Sequence, residues 1–280
     1  MYKPHAHEVA SGSLFSQMQN RCVLEICVES VDCAVAAERG GAHRIELCSK
    51  LDVGGLTPSL DLMRATRDSV RLPIHVMIRP RAGNFCYSKQ EFASMLHEIT
   101  TVKEFGMDGI VVGVLDSQNR IDLRRTRELV NLAQPLPVTF HRAFDESVDL
   151  EVGLESVIQT GAQRILTSGG SEQAVSGLPA LQRLVRQASG RVIIMPGGGI
   201  NTKNVARVMR LTSASEVHAS LGGSDKLVFG SSSRGNSHPA PGAGNGLEVF
   251  EEKVRKLANA IAKVAPAREH SRSHSRGGRN

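Results

Sequence analysis

Residues 23–48 read VLEICVESVDCAVAAERGGAHRIELC. Both ends of this stretch are short alternating runs. Leu24, Ile26 and Val28 fall on one parity and Val23, Glu25 and Cys27 on the other. In the second run Ile45 and Leu47 oppose Arg44, Glu46 and Cys48. Alternation of period two predicts strands with one apolar face. Between them, an Asp32 cap, an alanine-rich body ending at Arg39 and a Gly40–Gly41 stop predict a helix. A strand, a helix and a second strand in so short a span predict parallel neighbours joined by a crossover.

The unit recurs about eight times along the chain. Further strands are expected at 74–81, 109–114, 137–142, 164–167, 192–195 and 216–220. Helices are expected at about 60–70, 89–105, 122–133, 149–160 and 177–188, then from an Asn201 cap and over about 247–264. Alternation of this kind predicts an α/β fold, a single-domain (β/α)8 TIM barrel. No GxGxxG follows the first strand, which weighs against a dinucleotide-binding sheet.

The barrel is expected over 21–265, after a disordered lead at 1–20 and before a basic disordered tail at 266–280. A Gly/Ser/Pro-rich loop at 230–246 is expected to be flexible. The net charge is +6, and the tail's four Arg against one Glu account for +3 of it. That charge is therefore a solvated terminus, and nucleic-acid binding is not expected. No apolar run approaches the ~18 residues of a membrane span. The first twenty residues lack the order of a secretory signal. With five cysteines and no CxxC pair, reduced thiols in the cytoplasm are expected.

Parity assigns the chemistry. Strand 3 sets Ile74, Val76 and Ile78 against His75, Met77 and Arg79, and strand 5 sets Val138 and Phe140 against Thr139 and His141. Strand 8 sets Val217 and Ala219 against Glu216, His218 and Ser220. The apolar parity packs on helices, so the polar parity faces the barrel axis. Buried ionisable groups must pair or bind something. Either Glu25, Glu46, Arg44 and Arg79 form an internal salt-bridge network, or the same groups build a ligand site.

Cys27 and Cys48 stand at equivalent inward positions on adjacent strands, with Met77 on the next; soft sulfur selects Cu(I), or zinc if nitrogen joins. Two inward cysteines are also ordinary apolar filler. Glu25, Glu46, His141 and His218 combine carboxylate and imidazole, as acid–base apparatus or as ligands for a harder metal. The turn Gly197, Gly198 and Gly199 after strand 7, with Arg79 and Arg81, suits a small phosphorylated or carboxylated ligand. No strand carries a Lys placed for Schiff-base chemistry.

The stretches LEICVES, GGAHRIELCS, VMIRPRAGNFCYS, PLPVTFHRAFD, RILTSGG, RVIIMPGGGI and EVHAS, in order from residue 24 to 220, closely resemble the CutC copper homeostasis family. The resemblance implies a TIM barrel, a homo-oligomer (dimer or tetramer), and a cytoplasmic location that is also nuclear in eukaryotic members. It also implies a link to copper tolerance and Cu(I) binding. The family's characteristic cysteines on strands 1 and 2 correspond to Cys27 and Cys48. The resemblance assigns no catalytic activity. Where the family commonly has HxSAR at the end of strand 8, this chain has His218-Ala219-Ser220 followed by Leu221-Gly222, which removes one possible anion contact. The alternative function is a barrel enzyme acting on a small anionic metabolite through Glu25, Glu46, His141 and His218.

Overall fold

The computed structural model describes residues 22–222 and 243–264, with side chains from 246 onward in the second segment. The expected lead, the tail and most of the 230–246 loop lie outside the described residues.

Among the described residues eight parallel strands alternate with eight helices. The strands are β1 (Val23–Val28), β2 (Arg44–Leu47), β3 (Ile74–Met77), β4 (Gly109–Val112), β5 (Val138–Phe140), β6 (Arg164–Thr167), β7 (Ile193–Pro196) and β8 (Glu216–Ala219). The helices are α1 (Val31–Arg39), α2 (Leu60–Ser69), α3 (Lys89–Glu104), α4 (Leu123–Ala133), α5 (Leu150–Thr160), α6 (Leu178–Ala188), α7 (Val205–Thr212) and α8 (Ala243–Ala262). The ladder runs β7-β6-β5-β4-β3-β2-β1-β8, and β7 and β8 lie side by side at the seam. The (β/α)8 barrel expected from the alternation is the fold.

Its core is the shell between strands and helices. Leu24, Ile26, Ile45, Leu47, Ile74, Val76, Val138, Phe140 and Val217 are fully buried there. The opposite parity points to the axis, and register brings its members level: Glu25 with Arg44 and with His218, Cys27 with Glu46, and Glu46 with His75. Two glycines on the β4 side make room for imidazoles inside the barrel. A Cβ on Gly109 would lie 2.4 Å from His75 Cδ2, and one on Gly113 would lie 2.3 Å from His141 Cε1.

Several boundaries differ from expectation. α1 is capped by Ser30, whose Oγ accepts from Cys33 N at 3.2 Å, while Asp32 sits in the first turn facing the positive end of the helix dipole. Asn201 holds a turn ahead of α7, accepting from Lys203 N at 2.9 Å, and Asn204 takes the cap position. β3 and β5 stop at Met77 and Phe140, so Arg79 and His141 lie just past the ladder, in the loops of the C-terminal rim. α8 begins at Ala243, ahead of Leu247, because the glycine penalty of about 1 kcal/mol per residue is small beside the packing of its later turns. That packing is close: a Cβ on Gly40 would meet Val254 Cβ at 2.6 Å.

Candidate functional site

The lower half of the barrel interior is an ionic ladder. Arg44 Nε donates to Glu25 Oε2 at 2.5 Å, and Arg44 Nη2 donates to Glu216 Oε2 at 2.5 Å. Arg164 Nε donates to the same Glu216 oxygen at 2.8 Å. Burial works against ionising Glu25, but Arg44 and His218 hold its carboxyl well below the usual range. His75 approaches Glu25 Oε2 only to 4.0 Å, and burial drops its pKa to about 3, so it is a neutral ring. Arg79 takes no part in this network, and Glu46 has no guanidinium partner among the described residues.

Above the ladder sits a small apolar cluster, separate from the main core, formed by Cys27, Cys48, Met77 and Val111 with Leu51 packed on it. Cys27 Sγ and Cys48 Sγ are 3.4 Å apart, and both residues are buried free thiols. The chain after β2 closes over them: a Cβ on Gly55 would lie 3.4 Å from Cys48 Sγ and 3.5 Å from Met77 Cε. Cys27 Sγ also donates to Glu46 Oε1 at 3.3 Å. The Cys48 contact, burial and the Glu46 carboxylate together push the Cys27 thiol well up, so it is protonated at neutral pH.

His218 joins the two zones. Its Nδ1 lies 2.8 Å from Glu25 Oε1 and 3.9 Å from Glu46 Oε2. Burial disfavours its cation, yet Glu46 and Glu25 outweigh burial and raise its pKa. Burial also raises Glu46. Cys27, Glu46 and His218, from three adjacent strands, present one ligand atom each within 4.8 Å of one another.

The rim residues fall elsewhere. His141 Nδ1 accepts from Ala143 N at 3.1 Å, its Nε2 is buried without a partner, and burial followed by the Arg79 charge lowers its pKa to about 3. Arg79 donates to the carbonyls of Val53, Gly55 and Gly83 at 2.9–3.1 Å and stacks 4.8 Å from the Phe85 centroid. Arg81 donates to Glu91 at 2.5 Å and to the carbonyls of Ala82, Asn84 and Cys86, over Tyr87. Both guanidiniums thus pin the β2–α2 and β3–α3 loops. Gly198 and Gly199 take φ of 93° and 69°, while Gly197 N donates to Thr167 O at 3.0 Å.

The backbone nest after β6 already holds a carboxylate. Asp145 accepts from Ser168 N at 3.0 Å, Gly170 N at 3.0 Å, Thr167 Oγ1 at 2.5 Å and Arg142 Nε at 2.9 Å. Of the expected site residues, the structure gathers Cys27, Cys48, Met77, Glu25, Glu46 and His218 inside the barrel. The glycine turn borders that group, since a Cβ on Gly197 would lie 3.3 Å from His218 Cβ, while His141, Arg79 and Arg81 make the loop contacts just described instead. Sequence reading passed over Arg164 and the pairing of Glu216. Both stand on the inward parity of their strands, and that signal was available.

Residues 22–223 match the CutC family. The chain belongs to that family. It is 44% identical over 247 residues to the copper homeostasis protein cutC homolog of Homo sapiens, covering 87% of this chain and 90% of that one. The Mus musculus homolog is 45% identical over the same length and coverage. Among solved structures, a copper homeostasis protein CutC from Streptococcus agalactiae superposes with a TM-score of 0.67 at 32% identity, covering 71% of this chain and 98% of that one. The family match spans all eight strands of this CutC chain, β1 through β8, and ends ahead of α8. Among the described residues no helix is long and apolar enough to cross a membrane.

Proposed function

We propose that this CutC chain handles copper inside the cell by taking up Cu(I) on Cys27 and Cys48. The observation that carries the reading is the pair of buried sulfurs 3.4 Å apart in an apolar cluster beside Met77. Soft thiolates in a dry pocket favour a soft monovalent ion over hard cations. Two cysteines on neighbouring strands of a closed sheet are held in place without the ion, so little ordering entropy is lost on binding. Copper here is cargo, and the high thiol pKa of Cys27 means that uptake must displace a proton. The names of the human and mouse relatives support the link to copper homeostasis.

The test is anaerobic titration of the reduced protein against a chromophoric Cu(I) chelator. One Cu(I) per chain is expected, with loss of binding in the Cys27→Ser/Cys48→Ser double variant. Unchanged affinity in that variant rejects the assignment. Cytoplasmic or nuclear residence and self-association into a dimer or tetramer belong to the same reading, and sedimentation of the pure protein checks the latter.

A second reading, an acid–base enzyme for a small anionic metabolite, draws support from His218 set between Glu25 and Glu46. An environment that moves neighbouring carboxylates in opposite directions is the usual mark of an assigned acid and base. Binding of inorganic phosphate that is lost in Gly198→Ala would favour it. Absence of any anion binding at millimolar concentration would reject it.

A further inference from the structure

We propose that Cys27, Glu46 and His218 form a binding site for a divalent cation of borderline softness, with Zn2+ as the fitting ion. The ligand set is one carboxylate, one imidazole and one thiolate, which is zinc chemistry and not that of a purely sulfur-bound Cu(I). The site overlaps the copper reading at Cys27 but does not depend on it.

Three observations converge. First, the three ligand atoms come from β1, β2 and β8, all buried and within 4.8 Å of one another. Adjacent strands of a barrel hold such atoms rigidly, which is what a metal site requires. Second, Glu46 Oε2 is buried with no hydrogen-bond partner, and Glu46 is only 2% exposed. A buried carboxylate oxygen left open is costly unless something occupies it. Third, His218 Nδ1 is held by Glu25 Oε1 at 2.8 Å and lies 3.9 Å from Glu46 Oε2, so Glu25 orients the ring beside the open carboxylate oxygen. A carboxylate behind a ligating histidine is the common way such a ring is oriented.

Charge agrees with this choice. Inside the barrel the carboxylates of Glu25, Glu46 and Glu216 face the guanidiniums of Arg44 and Arg164. Glu46 is the member without a guanidinium contact among the described residues, and its ion-pair approach is to His218 Nδ1 at 3.9 Å. Zn2+ with the Cys27 thiolate and the Glu46 carboxylate is neutral, whereas Cu(I) with the same two groups carries one negative charge into a low-dielectric interior. Binding exchanges the proton on Cys27 Sγ for the metal, and that proton leaves to solvent.

The experiment uses the full chain, reduced and metal-free, titrated separately with Zn2+ and with Cu(I) against chromophoric chelators. One Zn2+ per chain is expected. Glu46→Gln and His218→Gln should each weaken Zn2+ by about 10- to 100-fold, with circular dichroism melts confirming that both variants fold. Co2+ added to the unsubstituted protein should give a thiolate-to-cobalt charge-transfer band and the intense d–d bands of a tetrahedral site, lost in Cys27→Ser. Wild-type Zn2+ affinity in both Glu46→Gln and His218→Gln, or a Co2+ spectrum without a thiolate band, overturns the site. Loss of Cu(I) binding with the zinc results intact would instead sink the copper reading alone.

Discussion

Lowering the pH from 6.5 to 4.5 should destabilise this protein through two histidines before most of its carboxylates titrate. His75 and His141 are ordinary imidazoles in the unfolded chain, protonating near 6.5, but in the barrel burial holds both down to about 3. Between those values the unfolded chain binds more protons than the folded one, so stability that is complete above 6.5 drains as pH falls. The geometry enforces this at His141, whose Nδ1 accepts the Ala143 N–H; a proton there would set two donors against each other. Each ring contributes a slope that approaches about 1.4 kcal/mol per pH unit once the unfolded ring is mostly protonated, hence about 2.3 kcal/mol over the two units. Glu46, held above its usual value, works in the opposite direction in this window, as does Glu98. Glu25, whose stabilisation is present above its unfolded value and lost as pH falls below it, acts at lower pH, and the His218 contribution is lost only as pH rises above 6.5. A single substitution separates these effects. His141→Asn keeps an acceptor for Ala143 N and removes the titration. Urea unfolding of both proteins at half-unit intervals from pH 4.5 to 7.5 reads the slopes. The variant's slope should be shallower by up to about 1.4 kcal/mol per pH unit. Parallel slopes, or a wild type that gains stability on acidification, would refute the claim that His141 is buried as a neutral ring.

Other perturbations follow from the same interior. Glu216→Ala leaves Arg44 and Arg164 short of the carboxylate they share at 2.5 and 2.8 Å; a loss of about 3–5 kcal/mol is expected in chemical unfolding, and a change within error would mean the ladder is solvated. Asp145→Ala empties the nest formed by Ser168 N and Gly170 N, and with several buried donors unpaired should cost about 3 kcal/mol or more. Amide exchange in the β6–α6 loop should rise in that variant, and unaltered protection there would count against the nest. Gly113→Ala sets a methyl 2.3 Å from His141 Cε1 and 2.9 Å from Ala143 Cβ; about 1–3 kcal/mol of destabilisation is expected, together with a shifted His141 ring resonance. An unshifted resonance would show that the ring does not lie over β4.

Strand parity carried far because a barrel strand has only two faces. Once Leu24, Ile26, Ile45 and Leu47 are assigned to the helix side, Glu25, Cys27, Glu46 and Cys48 have nowhere to go but inward. Parity is silent on partners. Arg79 and Arg44 look alike in sequence, as cations on the inward parity. Yet Arg44 joins the ionic ladder, while Arg79 lies past the end of β3 with its donors on three loop carbonyls. The helix caps at Ser30 and Asn204 were similarly ambiguous, since several polar residues compete at each start and only local φ and hydrogen bonding choose among them.

What the amino-acid order determined by itself was the repeating unit, the closed parallel sheet and the identity of the side chains lining it, because periodicity and glycine placement are local properties. Which inward groups meet was decided only by closure of the barrel. Pairing β8 with β1 brings His218 against Glu25 across 193 residues of sequence, and the stagger between β1 and β2 sets one sulfur against the other. Such contacts depend on shear and on side-chain rotation around a common axis, quantities that no stretch of the chain encodes alone.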